Sequence, residues 1–169
     1  MQIKQLYRLI VISYLSLGLS ACGFHLRSEA ELPEQLQATS VQGVTEYSNL
    51  DLSLKRAFRQ TGYPLTTASN ASAILVVMQN EISRRVLSVN SAGIVNEYEL
   101  NYTLRYKLIG SEKNQLIPEQ TISLYRSYRY NPDTVLAKAA EEERLQKDMI
   151  ELAVKQLMRR ISMKLKKRP

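Results

Sequence analysis

The chain has 169 residues, 23 Lys and Arg against 16 Asp and Glu, a net charge of +7, and a single cysteine and histidine. That length holds one domain with a real core, and a lone thiol can form neither an intrachain disulfide nor a paired-cysteine metal site. With no Gly-rich phosphate loop and with His25 close to Cys22, catalytic, metal and cofactor chemistry lack raw material.

The first residues read as an export signal. Lys4 and Arg8 form a basic start, Leu9 to Leu19 an apolar stretch, and Leu19-Ser20-Ala21-Cys22 a lipobox with small residues before the cysteine. The stretch is shorter than the ~20 apolar residues that span a bilayer. The tetrad resembles the lipoprotein pathway, in which the cysteine sulfur takes a diacylglycerol, the peptide is cut before Cys22, and the new amino group is acylated. The competing reading, a secreted protein with a free thiol, leaves an unpaired cysteine in an oxidising compartment. Each buried methylene is worth about 0.8 kcal/mol, so three acyl chains would hold the protein firmly. Gly23, where an aspartate would signal inner-membrane retention, points to the periplasmic face of the outer membrane. The expected division is residues 1–21 as signal, 22–34 as lipidated tether and 35–169 as the domain. Cleavage leaves 148 residues and lowers the net charge from +7 to +5. A basic cytosolic chain would suggest nucleic acid as a partner; an exported one meets phosphorylated lipid instead, and no nucleic-acid partner is expected.

Leu36 to Val44 is a weak strand candidate. Ser48 with Asp51 forms a capping box with Asp in place of Glu, and Leu50, Leu54, Ala57 and Phe58 fall on one helical face. Gly62 and Pro64 end that helix; Lys55, Arg56 and Arg59 occupy its other side, as a solvated face or an anion patch. Ala73 to Met78 is continuously apolar, as suits a strand covered on both faces or a buried helical segment. From Glu97 to Leu108 the alternation is nearly strict, with Tyr98, Leu100, Tyr102, Leu104, Tyr106 and Leu108 on one side. The tyrosine row serves either packing or sugar stacking.

Ser91-Ala92-Gly93 matches a three-residue hairpin loop with glycine at its positive-φ position. It fixes a register in which paired residue numbers sum to 184, with Val86 opposite Tyr98, Ile82 opposite Tyr102, Met78 opposite Tyr106, and Arg85 opposite Glu99 on the other face. Arg84 and Asn80 then land on the apolar side, so a bulge or a partner is expected there. A further strand is expected from about Gln120 to Tyr130, starting after Pro118.

Asn131-Pro132-Asp133 opens a long last helix, with Asn131 as cap. Leu145, Met149, Ile150, Leu152, Ala153, Leu157, Ile161 and Leu165 form its apolar stripe. Glu143 with Lys147 and Glu151 with Lys155 make spaced pairs, and Glu141, Glu142 and Glu143 read as a solvated segment. The tail from Lys164 to Arg168 is basic, free to fray or to attract anionic lipid. These elements give an α+β fold, a two-layer domain with about four strands, mainly antiparallel, packed against two helices.

At Cys22-Gly23-Phe24-His25-Leu26-Arg27 the chain resembles the start of mature LptE, the LPS-assembly lipoprotein family. Gly93 with Asn96-Glu97-Tyr98, Asn131-Pro132 with Leu136-Ala137-Lys138, and Ala153 with Gln156-Leu157-Met158-Arg159-Arg160-Ile161 resemble the family's hairpin, strand-to-helix junction and last helix. The resemblance implies a non-enzymatic outer-membrane lipoprotein without cofactor or metal, a plug and assembly partner of an LptD-type β-barrel that binds lipopolysaccharide on its way to the outer leaflet. It places Lys138 where the family carries a basic residue implicated in lipopolysaccharide binding. The family's other implicated cation precedes the hairpin glycine, where this chain has Ser91; Arg84 and Arg85 near the base of the hairpin are candidates for replacement charge. From the residues alone, an outer-membrane lipid or lipoprotein carrier and a pilotin-like assembly factor stand as alternatives.

Overall fold

The computed structural model describes residues 33, 36–130 and 135–166. The lipobox, most of the tether, the Asn131-Pro132-Asp133 junction and the last three residues lie outside them. Among the described residues the order is β1 (Thr39–Gln42), α1 (Asn49–Gln60), a 3-10 turn (Ala68–Asn70), β2 (Ala73–Val89), β3 (Val95–Gly110), β4 (Gln115–Arg129) and α2 (Val135–Lys166). The strands form one sheet in sequence order, with β1 parallel to β2 and the remaining pairs antiparallel. Among the described residues the fold is therefore α+β, a four-stranded mixed sheet and two helices. No described helix is long and apolar enough to cross a membrane.

Helix α1 starts where the capping pattern predicts, with a shift in one bond. Ser48 Oγ accepts the Asp51 N–H at 3.2 Å, but the Asp51 carboxylate takes the N–H of Tyr47, at 2.9 Å, because Ser48 N–H is already bonded to Thr45 O. Leu50, Leu54 and Phe58 are buried against α2 and the sheet, and Gly62, at φ +81°, follows the helix end.

The sheet buries one face. Leu100, Tyr102, Leu104, Tyr106 and Leu108 of β3 lie in a single core with Leu75, Ile117, Ile122, Leu157 and Ile161. Fully burying such a side chain is worth roughly 1.5–3 kcal/mol. Burial raises the pKa of Tyr102, whose hydroxyl donates to Asn80 Oδ1 at 2.8 Å; Tyr106 is likewise raised by burial, more than the nearby Arg160 lowers it. Tyr102 and Tyr106 thus pack in the core, while Tyr98 is half-buried.

The apolar run of β2 departs from expectation. Ala73, Leu75 and Val77 are buried, Ile74 and Val76 are half-buried, and Met78 is 42% exposed, so only one face is fully covered. The sequence register holds from Gln79 to Val86, including Arg85 opposite Glu99, Ile82 opposite Tyr102 and Val86 opposite Tyr98. It fails at Met78, because Val77 pairs with Tyr106 and Met78 is an extra residue in a bulge. The bulge switches parity: odd residues face the core before it and even residues after it, so Leu75 and Ile82 share one face. Gly43, at φ +80°, sits beside it, and a Cβ there would lie 2.1 Å from Val77 O.

Two further bounds differ. β4 begins at Gln115 and contains Pro118, which sits beside a register shift in an edge strand where its missing N–H breaks no regular ladder. On α2, Leu152 is only half-buried, while Val154 joins the core. Glu143 pairs with Lys147 at 2.9 Å as expected; Glu151 instead pairs with Arg56 of α1 at 2.8 Å, a cation brought by the helix–helix contact. In the basic tail, Lys164 bonds to Gln120 Oε1 at 2.6 Å.

Candidate functional site

The β2–β3 hairpin and the end of β4 carry the sheet toward the first turns of α2. Asn90 shapes the hairpin tip: its N–H bonds to Ile94 O at 2.8 Å, and its side-chain oxygen accepts the N–H groups of Ala92 and Ile94. Ser91-Ala92-Gly93 is enclosed by that pair, with Gly93 at φ +78°, as the loop pattern predicts. Asn90 lies just outside the loop pattern, which carries no signal for its role.

Below the tip lies a cleft of about 170 Å³ lined by Arg84, Tyr98, Tyr128, Tyr130, Lys138 and Glu142. Three tyrosines wall it, with Tyr98 5.3 Å from Tyr130 edge-on and 5.8 Å from Tyr128. The Arg84 guanidinium lies over the Tyr98 ring at 4.5 Å, a cation–π arrangement. Arg84 also donates to Glu142 Oε2 at 2.8 Å. The same oxygen accepts from Tyr128 at 2.5 Å, and Glu142 Oε1 accepts from Gln146 at 3.2 Å. Burial, then the facing Glu142 carboxylate, push the Tyr128 phenol up to about 12, so it remains a donor at neutral pH. Lys138 bonds to Glu141 Oε2 at 2.7 Å.

The structure thus brings two of the four candidate binding residues together and separates the others. Arg84, on the inward face after the bulge, meets Lys138 across the cleft. Arg85 points to the opposite face, where its Nε bonds to Glu99 Oε1 at 2.7 Å. Ser91 is exposed at the hairpin tip. Cys22 lies outside the described residues. Glu142, read in the sequence as one of three solvated carboxylates, is instead the hub of the cleft, with a side chain only 19% exposed. The misfit of Arg84 on an apolar face was the available signal for such a partner.

The hairpin that leads away from the cleft exposes apolar side chains. Val86, which opposes Tyr98, is 50% exposed, Val89 56% and Ile94 50%. The outer sheet face is polar, with Ser88 bonded to Glu97, Arg105 paired with Glu119 at 3.3 Å, and the buried Asn101 side-chain oxygen without a hydrogen-bond partner among the described residues. The cleft offers cations and aromatic rings, and the hairpin leading away from it apolar side chains, a combination suited to a phosphorylated amphiphile.

A lipoprotein-type α+β domain with this arrangement matches a known class. The profile described as "LptE: Lipopolysaccharide-assembly" matches residues 36–161, and the chain belongs to that family. The LPS-assembly lipoprotein LptE of Pectobacterium atrosepticum is 26% identical over 154 residues, which cover 90% of this chain and 83% of that protein. The protein of the same name from Yersinia pestis is 26% identical over 144 residues, 84% of this chain and 69% of its own. Among solved structures, a lipoprotein B from Nitrosomonas europaea is similar at 32% identity and a TM-score of 0.68, covering 83% of this chain and 90% of that one. The rare lipoprotein B from Shewanella oneidensis is similar at 25% identity and a TM-score of 0.62, with 75% and 92% covered.

Proposed function

We propose that this chain is a non-enzymatic outer-membrane lipoprotein, anchored through lipid on Cys22 at the periplasmic face, that binds lipopolysaccharide and serves as plug and assembly partner of an LptD-type β-barrel. On this reading residues 1–21 are the signal, 22–34 the tether and 35–169 the working domain. Family membership supports the setting. The observation that carries lipid binding is the meeting of Arg84 and Lys138, from elements far apart in sequence, in one tyrosine-walled cleft from which an apolar hairpin leads away. Phosphates of lipid A are the matching anions, since charge-assisted hydrogen bonds to Arg and Lys are the strong ones.

The size of this cleft favours contact with a head group over enclosure of a whole lipid. A cleft of about 170 Å³ is smaller than the roughly 300–1,000 Å³ pockets that enclose a drug-sized ligand. It suits contact with a head group and leaves acyl chains to lie along the exposed Val86, Val89 and Ile94. The polar outer sheet face supports a seat in a polar barrel lumen.

The test is affinity capture of the full chain through a C-terminal tag, with identification of bound protein and lipid. A large β-barrel and lipopolysaccharide are expected together. Reversing Arg84 and Lys138 to glutamate should cut lipopolysaccharide capture roughly tenfold or more while leaving the barrel bound. Capture of neither partner by the wild type would refute the reading, and capture of lipid without a barrel would favour the carrier. Barrel capture with no lipid in any variant would favour a pilotin-like factor. Cys22→Ser should abolish palmitate incorporation.

A further inference from the structure

We propose that Glu142 is an internal competitor for ligand phosphate: its carboxylate occupies Arg84 where a lipid phosphate would bind, and so sets how tightly the cleft holds its ligand and how readily it releases it. The proposal rests on the lipopolysaccharide reading of the cleft and adds a residue that opposes binding.

The geometry carries it. Arg84 is held by Glu142 at 2.8 Å and Lys138 by Glu141 at 2.7 Å, so each cation of the cleft is already matched by a neighbouring carboxylate of α2. Carboxylate and phosphate oxygens offer a guanidinium the same acceptor chemistry. Two anions converging on one cation also repel each other, and partial burial screens that repulsion less than water does. Because Glu142 is fixed on the helix that forms one wall, it competes as an intramolecular partner, at a high effective concentration. An arriving phosphate must displace it, and the same carboxylate can retake Arg84 when the ligand leaves. A protein that passes a lipid onward needs that reversibility, whereas a cleft of uncompensated cations would retain its cargo.

A purely structural role makes a different prediction. As a strut, Glu142 ties the hairpin to α2 by accepting from Arg84, Tyr128 and Gln146. A glutamine keeps one accepting oxygen for Arg84 and Tyr128, removes the negative charge, and gives up only the acceptor that faces Gln146. A strut predicts equal or weaker ligand binding in Glu142→Gln; a competitor predicts stronger binding.

The experiment measures binding of the full chain, in detergent micelles, to bisphosphorylated lipid A and to its dephosphorylated form. Glu142→Gln should bind the bisphosphorylated lipid about tenfold more tightly, with the gain shrinking as salt rises. Binding of the dephosphorylated lipid should not change. Glu141→Gln, which frees Lys138, should give a smaller gain of about threefold. Tyr128→Phe weakens the strut without altering charge and should give no gain. The proposal is overturned if folded Glu142→Gln binds no better than wild type, or if its gain is as large for the dephosphorylated lipid. Should Glu142→Gln fail to fold, Glu142→Asp, which draws the carboxylate back from Arg84, should still bind the bisphosphorylated lipid about threefold more tightly, and no gain there overturns the proposal equally. If wild-type binding survives Arg84→Gln and Lys138→Gln unchanged, the cleft reading itself fails and the competitor with it, a result distinct from a silent Glu142.

Discussion

At the base of the sheet, Leu75, Leu104, Leu108 and Ile122 lie in one core with Leu54 and Phe58 of α1 and Leu157 and Ile161 of α2. At the hairpin pole, the inward positions of the same strands carry Arg84, Tyr98 and Tyr128, and Glu142 of α2 meets them. One alternating pattern therefore serves two purposes along its length. Stability resides at the base, where apolar side chains exclude water; the pole keeps polar groups in mutual contact and leaves Val86 and Ile94 exposed. On the proposed reading, the division suits a domain that stays folded while one end exchanges lipid.

The most direct way to break this contrast is to place the same charge at each end. Leu157→Asp puts an unpaired carboxylate among buried side chains and should destabilise the domain by about 4 kcal/mol or more. Val86→Asp, on the inward register but half exposed, should change stability by no more than about 0.5 kcal/mol. Urea unfolding of the two variants decides it, and similar losses would erase the distinction between core and pole.

The bulge joins the two ends and can be tested by deletion. Removing Met78 leaves Val77 opposite Tyr106 and Gln79 opposite Arg105 as consecutive pairs, so every side chain keeps its face. A cost of about 1 kcal/mol is expected from lost local fit. Removing Ser83 puts Ile82 and Arg84 next to each other and forces one of them onto the wrong face. That deletion should cost about 3 kcal/mol or more, or take Arg84 out of the cleft. Thermal melts together with lipid A binding separate these outcomes; equal effects would mean that the bulge does not set the faces.

The bulge also marks where the sequence stopped being legible. Strict alternation from Glu97 to Leu108 and the short loop at Gly93 are local signals, and they fix β3, the hairpin and most of the register. A continuously apolar run such as Ala73 to Met78 carries no parity, so nothing in it says which residue is extra. Pro118 reads as a strand boundary because proline breaks central ladders, yet β4 is an edge strand and accommodates it. The wide apolar stripe of α2 left the choice between Leu152 and Val154 to helix rotation, which packing against α1 and the sheet decides. Half of the cleft could be anticipated, since Arg84 was out of place on an apolar face. Its partner could not, because Glu142 lies 58 residues away among three adjacent glutamates that look alike until the helix is docked.

The smallest expected effect lies at the start of α1, on the base side. Burial raises the Asp51 pKa, but the Lys55 ammonium at 2.8 Å and the Tyr47 N–H outweigh it and hold the carboxyl below its ordinary value of 3.8. A pKa lowered by folding contributes stability that is present above the unfolded value and lost as pH falls through the folded one. Asp51→Asn keeps an oxygen for the Tyr47 N–H and removes the ion pair, which is partly exposed and worth about 0.5 kcal/mol. The variant should therefore be slightly less stable than wild type at pH 7, and the gap should close as pH drops below the ordinary aspartate value of 3.8. Urea unfolding at both pH values reads the difference. Such closure identifies the helix start as electrostatic in its last fraction of stability, set upon a base held by burial; a gap unchanged in acid would assign Asp51 to backbone geometry alone.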